Sequence, residues 1–385
     1  MPESIVSPVG LILPDRILEH AWIKFDEGQI LDFGAGEAPA DTTVIDGKGL
    51  YLSPGFVDIH VHGGAGADFL DGTREAFQTI AEHHLSRGTT ALAPTLATTT
   101  YKRMAQVLDL WSEAETRTRA RLLPVHLEGP HLAVSKAGAQ DPKLLAPATD
   151  GNIEWLVENA ARISQMTVAP ELPNALKLVE RLANAGVVTS AGHSEAREQA
   201  VSAAMERGLS KVTHLFNAMT YAAKQGLFRE AGLAEFALTE DRLGCELIAD
   251  GFHASPTFMK LAIRAKGPER IALISDALAG TGLPVGSTFR LGALECLVAE
   301  GVCTLADGSA LSGSATTLMD RVRILHQRIG VPLADAVRMA SLTPASLIRV
   351  ADRYGSIERG KAPDFVQFDS ELRIDSVWVA GARAI

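Results

Sequence analysis

Residues 55–66 read GFVDIHVHGGAG. Phe56, Val57 and Ile59 give the stretch the apolar character of a buried strand, yet it carries imidazoles at His60 and His62. Side chains alternate faces along a strand, so two histidines separated by one residue point the same way. Neutral imidazole suits Zn²⁺, Fe²⁺ and related divalent ions, so the pair amounts to half of a metal site. The rest must come from other strands.

Seven further apolar runs follow: TALAPT (90–95), LLPVHLE (122–128), MTVAP (166–170), VVTSAGH (187–193), KVTHLF (211–216), CELIAD (245–250) and IALISD (271–276). Helical stretches fall between several of them, among them REAFQTIAEHHLSRG, LPNALKLVERLANAG and SEAREQAVSAAMERG, each closed by a glycine suited to a helix C-terminus. Eight β-then-α units predict an α/β fold, a closed parallel (β/α)8 barrel. A doubly wound open sheet competes, but no G-x-G-x-x-G turn follows the first strand.

Outside this region the pattern changes. Residues 1–53 are short and β-like, with GLILP, AWIKF, QILDFG and TTVID separated by turn residues, and the tail 354–385 returns to the same style in GSIERGKAPDFVQFD and IDSVWVAG. The two ends are expected to meet in one small β-sandwich flanking a barrel over 54–353.

Composition narrows the function. The chain has 385 residues, is 46% hydrophobic and carries a formal charge of −10, which disfavours nucleic acid as a partner. No apolar run is long enough to span a membrane and MPESIVSPVG is no signal peptide, so the expected location is the cytoplasm. Cys245, Cys296 and Cys303 lack C-x-x-C spacing and read as free thiols, not as a disulfide framework or zinc site.

Polar residues stand at or near the C-terminal ends of five of the eight runs: His60 and His62, Glu128, His193, His214 and Asp276. In an α/β barrel that edge holds the active site. A lone histidine at a strand end is usually a packed core residue. Four histidines and two carboxylates together are different, because burying them without a cation would leave several unsatisfied or in repulsion. Zn, Fe, Mn and Co all fit such a donor set, with one or two ions per subunit. His20, His83, His84 and His326 read as surface or helix-packing residues, and His126 shares the face of Glu128 inside the barrel.

Those motifs, PGFVDIHVHGG, HLEGP, SAGHS, THLFNAM, ADGFH, ISDA, LSGS and GSIERGKAPDFV, resemble the amidohydrolase superfamily and, within it, the N-acetylglucosamine-6-phosphate deacetylase family, over about residues 44–380. The resemblance implies hydrolysis of the N-acetyl group of N-acetylglucosamine 6-phosphate, an amino sugar phosphate. It implies that Glu128, His193 and His214 hold the main ion, that His60 and His62 with Glu128 hold a second, and that Asp276 is general base and then acid. Other amidohydrolases bridge two metals with a carbamylated lysine on the fourth strand; MTVAP contains none, and Glu128 takes that place. For the substrate it implies Asn217, the backbone of Ala218, Arg229 and His253, the last two on the phosphate, with such residues reaching the site from a neighbouring subunit of a homodimer.

One residue departs from the family pattern. Where that pattern has a histidine that polarises the substrate carbonyl, KAGAQDP places Gln140, whose neutral amide stabilises an oxyanion less well. Gln140→His is therefore expected to raise activity, and His131 is a candidate stand-in. TYAAKQGLFRE is also longer than the usual link to the arginine. Two alternatives stay open: the galacto epimer or another N-acyl amine as substrate, and an inactive binding protein, against which the intact ligands and Asp276 argue.

Overall fold

The computed structural model describes residues 3–40, 43–115, 117–292 and 294–385. All eight apolar runs are strands: β1 (Phe56–Val61), β2 (Thr89–Leu96), β3 (Val125–Glu128), β4 (Ile163–Val168), β5 (Val188–Ala191), β6 (Leu209–Val212), β7 (Gly244–Leu247) and β8 (Ile271–Leu273). They pair in parallel in chain order from β1 to β8. Across the seam Asp276 N–H donates to His60 O at 2.9 Å, and Ser275 N–H to the Asp58 carboxylate at 3.3 Å. The sheet is a nearly closed barrel.

Among the described residues, helices on its outside include α1 (Arg74–Leu85), α2 (Tyr101–Ala114), α3 (Asp150–Glu158), α4 (Ala175–Asn184), α5 (Glu198–Met205), α6 (Leu233–Thr239) and α7 (Pro256–Lys266), with Leu333–Ala340 and Leu342–Leu347 following later in the chain. Thr73, Thr100, Thr149 and Ser255 start four of them by accepting from an N–H of the first turn. Gly88, Gly186 and Gly208 follow α1, α4 and α5 with φ of 92°, 90° and 107°, a region hostile to other residues. The helices bury Phe77, Ile80, Leu108, Leu156, Leu178 and Leu182 against the strands in one large apolar cluster.

β1 explains why the barrel is unusual inside. Val57 and Ile59 pack outward with Ala345 and Ile348. Asp58 and His60 alternate with them and face inward. His126, Gln165, Thr167, Ser190, Lys211, Thr213 and Glu246 are likewise wholly buried, so the interior is a hydrogen-bonded polar layer where branched apolar side chains are usual.

The two chain ends meet in one small unit, as expected from the sequence. Its strands hydrogen-bond in the order 382–383, 374–379, 365–368, 51–54, 4–12, 17–25 and 30–35, with 43–46 alongside 4–12. Phe25 packs edge-on against Phe365 and Trp378 at 5.3 and 5.9 Å. Full burial of each phenylalanine stabilises this unit by about 1.5–3 kcal/mol.

One element escaped the sequence reading. Between β8 and the helix α8 (Leu318–Arg323), residues 288–291, 294–298, 302–305 and 311–314 form a four-stranded antiparallel sheet. Its turn signals are Glu300-Gly301 and Asp307-Gly308, with both glycines at positive φ. Arg321 of α8, fully buried, ties this insertion to the barrel: it donates to Ser275 O at 2.9 Å and to the Ser314 and Thr316 hydroxyls.

Candidate metal centre

The strand ends are bent to aim side chains inward. His193, His214 and Asp276 adopt φ of 47°, 28° and 47°, a region that costs non-glycine residues about 1–3 kcal/mol and that persists where the surroundings enforce it. Gly192 precedes His193 in a tight place: a Cβ there would lie 2.8 Å from atoms of Thr167 and Thr213.

Two triads result, His60/His62/Asp276 and Glu128/His193/His214, each with ligand atoms within 4.8 Å of one another. Glu128 joins them. Its Oε1 lies 3.1 and 3.0 Å from Nε2 of His193 and His214, and its Oε2 lies 3.3 Å from Nε2 of His62. Asp276 Oδ1 is 3.5 and 3.4 Å from Nε2 of His60 and His62.

The hydrogen bonds at the far side of the rings test whether cations fit. His193 Nδ1 is 2.7 Å from the Lys136 carbonyl, which only accepts, so Nδ1 carries the proton. His60 Nδ1 is 3.0 Å from the Glu246 carboxylate and is protonated for the same reason. In neutral rings both Nε2 lone pairs then point at Glu128 Oε1, at 3.1 and 3.5 Å. Lone pair against carboxylate is repulsive, and a cation between them reverses the sign.

Electrostatics argue the same way. Burial pushes the Glu128 and Asp276 carboxyls up, but the surrounding imidazoles outweigh it and hold both below the usual carboxylate range. Burial pushes His62 down, yet Asp276 and Glu128 bring it up to about 9. The carboxylates draw positive charge into this volume, and nitrogen and oxygen donors in these numbers suit a divalent transition metal.

The centre floors an open cavity of about 160 Å³ lined by His62, Glu128, Gln140, His193, His214, Asn217, Ala218, His253 and Asp276, with Leu291 and Leu311 from the inserted sheet. His60 lies beneath it, fully buried. Asp250 accepts from His253 Nδ1 at 2.7 Å and orients that ring. Arg229 is not in the cavity wall: it sits exposed on a hairpin of residues 223–225 and 228–230, whose Leu227 and Phe228 are 89% and 78% exposed.

Two sequence expectations are revised. Gln140 reaches the cavity, but its amide is committed: Nε2 donates to Glu128 Oε2 at 2.7 Å and Oε1 accepts from Thr98 N–H at 2.6 Å. His131 is no stand-in, because its nitrogens face Ala146 O at 2.7 Å and Tyr101 Oη at 2.8 Å, away from the cavity. Glu246 and Lys211, in the runs 245–250 and 211–216, also belong beneath the centre. Their signal was a charged residue in the middle of an apolar strand, where only a paired charge survives burial.

A parallel barrel with a buried histidine-carboxylate centre at the C-terminal ends of its strands defines a metal-dependent hydrolase class. The chain belongs to the amidohydrolase family, whose profile matches residues 51–384. It is 29% identical to the N-acetylglucosamine-6-phosphate deacetylase of Bacillus subtilis (strain 168), over 97% of this chain and 95% of the relative. It is 33% identical to the N-acetylgalactosamine-6-phosphate deacetylase of Shewanella sp. (strain ANA-3), over 98% and 95%. A substituted N-acetyl-D-glucosamine-6-phosphate deacetylase from Mycobacterium smegmatis, solved with N-acetyl-D-glucosamine-6-phosphate, superposes with a TM-score of 0.92 at 30% identity and covers the whole of both chains.

Proposed function

We propose that the protein hydrolyses the N-acetyl amide of N-acetyl-D-glucosamine 6-phosphate, giving D-glucosamine 6-phosphate and acetate. The observation that carries this reading is the meeting of the two triads at Glu128 on the floor of one open cavity, in a chain similar over its full length to deacetylases of this substrate class. Divalent ions bound there supply Lewis acidity, bringing the pKa of water toward about 7 and polarising the amide carbonyl.

The protein's own groups do the rest. Glu128 faces both triads, Oε1 toward His193, His214 and His60 and Oε2 toward His62, and keeps them together. Asp276 takes the proton of the attacking water and delivers it to the amine nitrogen, which leaves poorly without it. Held low by the neighbouring imidazoles, it is ionised at neutral pH, the form a general base must start from. Asn217, Ala218 and His253 receive the sugar phosphate. Arg229, exposed beside apolar Leu227 and Phe228, serves the phosphate of a second copy in a homodimer, its guanidinium fork matching phosphate oxygens.

A second reading is preference for the galacto epimer: the chain is 33% and 32% identical to two N-acetylgalactosamine-6-phosphate deacetylases, about as similar as to N-acetylglucosamine-6-phosphate deacetylases at 32%. The test is amine release by metal-reconstituted protein from both phosphorylated epimers and from unphosphorylated N-acetylglucosamine. Fastest turnover of the gluco phosphate supports the first reading and of the galacto phosphate the second. Negligible turnover of all three by protein with both ions bound removes both.

A further inference from the structure

Beneath the metal centre lies a closed circuit of buried polar groups. Glu246 on β7 places Oε2 3.0 Å from His60 Nδ1, and Oε1 contacts Lys211 Nζ on β6. Lys211 also donates to Gln165 Oε1 on β4, and Gln165 donates to the carbonyl of Ile59, the residue before His60. His60, Gln165, Lys211 and Glu246 have no solvent exposure.

Stability alone does not account for such a pair. A buried lysine–glutamate pair roughly breaks even against apolar side chains of the same volume, and apolar side chains are what parallel barrels use. The circuit does have a chemical consequence. An imidazole binds a metal through a lone pair, and the partner of its other nitrogen decides which nitrogen offers one.

The four histidines are not alike in this respect. His193 is oriented by a neutral carbonyl at 2.7 Å, while the outer nitrogens of His62 and His214 have no hydrogen-bond partner among the described residues. Only His60 is held by an anion. Lys211 keeps Glu246 from being a third uncompensated carboxylate beside Glu128 and Asp276, and it occupies the oxygen that His60 does not use.

We propose that Glu246, with Lys211 as its counter-ion, is a positioning residue of the metal centre that fixes His60 with Nδ1 protonated and Nε2 free, giving the His60/His62 site its affinity. This rests on the two-ion reading above. The Glu246 side chain touches the Glu128/His193/His214 triad through the His214 backbone N–H, at 3.2 Å, and not at a ligand atom.

The experiment titrates metal-free protein with Zn²⁺ and follows bound equivalents by elemental analysis, comparing wild type with Glu246→Asp and with the charge-neutral double variant Glu246→Gln/Lys211→Met. Aspartate keeps the charge but is one methylene too short for His60, so a foldable variant is available if the double one fails. Wild type is expected to bind two equivalents. The variants should bind the second equivalent about 10- to 100-fold more weakly, the usual cost of removing an outer partner of a ligand histidine, and the first with a smaller loss because only a backbone contact to His214 is altered there. Two equivalents bound with wild-type affinity overturn the inference, as does equal weakening of both, which marks a merely structural role. A single equivalent in wild type shows instead that the two-ion reading itself has failed.

Discussion

Gln140 has both halves of its amide engaged, one on the shared carboxylate of Glu128 and one on the Thr98 backbone. It therefore serves to orient Glu128, and the expectation drawn from sequence for Gln140→His reverses. An imidazole must satisfy a donor and an acceptor site spaced for an amide, and in its charged form it would stand against two divalent ions. Gln140→His is expected to lower turnover. Gln140→Ala should lower it further, together with metal affinity, because Thr98 N–H is left unpaired and the carboxylate free to rotate; the removed hydrogen bond is worth about 1.5–3 kcal/mol. Metal content measured beside kcat decides the matter: a histidine variant with more activity and unchanged metal restores the carbonyl-polarising role.

At the scale of elements, the centre depends on strand ends held in unfavourable backbone conformations. His193 is the clearest case, with φ of 47° directly after a glycine pressed between Thr167 and Thr213. Gly192→Ala forces β4 and β6 apart at that level, an overpacking cost of about 1–3 kcal/mol. Because the strain falls beside one ligand, zinc affinity of the Glu128/His193/His214 triad is expected to drop more than global stability does. Chemical denaturation and zinc titration of the same variant test this. A variant that loses stability and keeps its zinc affinity shows that His193 is placed by other contacts. The inserted sheet is joined to the same edge, since Ser314 N–H donates to Asp276 O at 2.9 Å and Arg321 bridges Ser314 to Ser275.

At the scale of the whole molecule, the question is where Arg229 acts. It lies on an exposed hairpin outside the cavity wall. If it serves a neighbour's site, Arg229→Ala and Asp276→Asn are each inactive alone but complement when mixed under exchanging conditions. Half of the dimers are then hybrids with one complete site, so the mixture should recover roughly a quarter of wild-type activity. No recovery from a mixture shown to have exchanged places Arg229 in its own subunit or outside the reaction.

The sequence by itself determined the barrel and most of the centre. Eight apolar runs of strand length with helical stretches between them leave few architectures, and His60, His62, Glu128, His193, His214 and Asp276 are all legible as polar residues ending such runs. Physically, the period of a strand fixes the face a side chain takes, and burial makes a titratable group there conspicuous. What it did not determine were pairings made across strands. The amide of Gln140 turning to Glu128, the Glu246–Lys211 pair under His60 and the inserted sheet joined to Asp276 each join residues 12 to 38 positions apart. Periodicity describes one strand at a time, and only closing the barrel brings its strands into register.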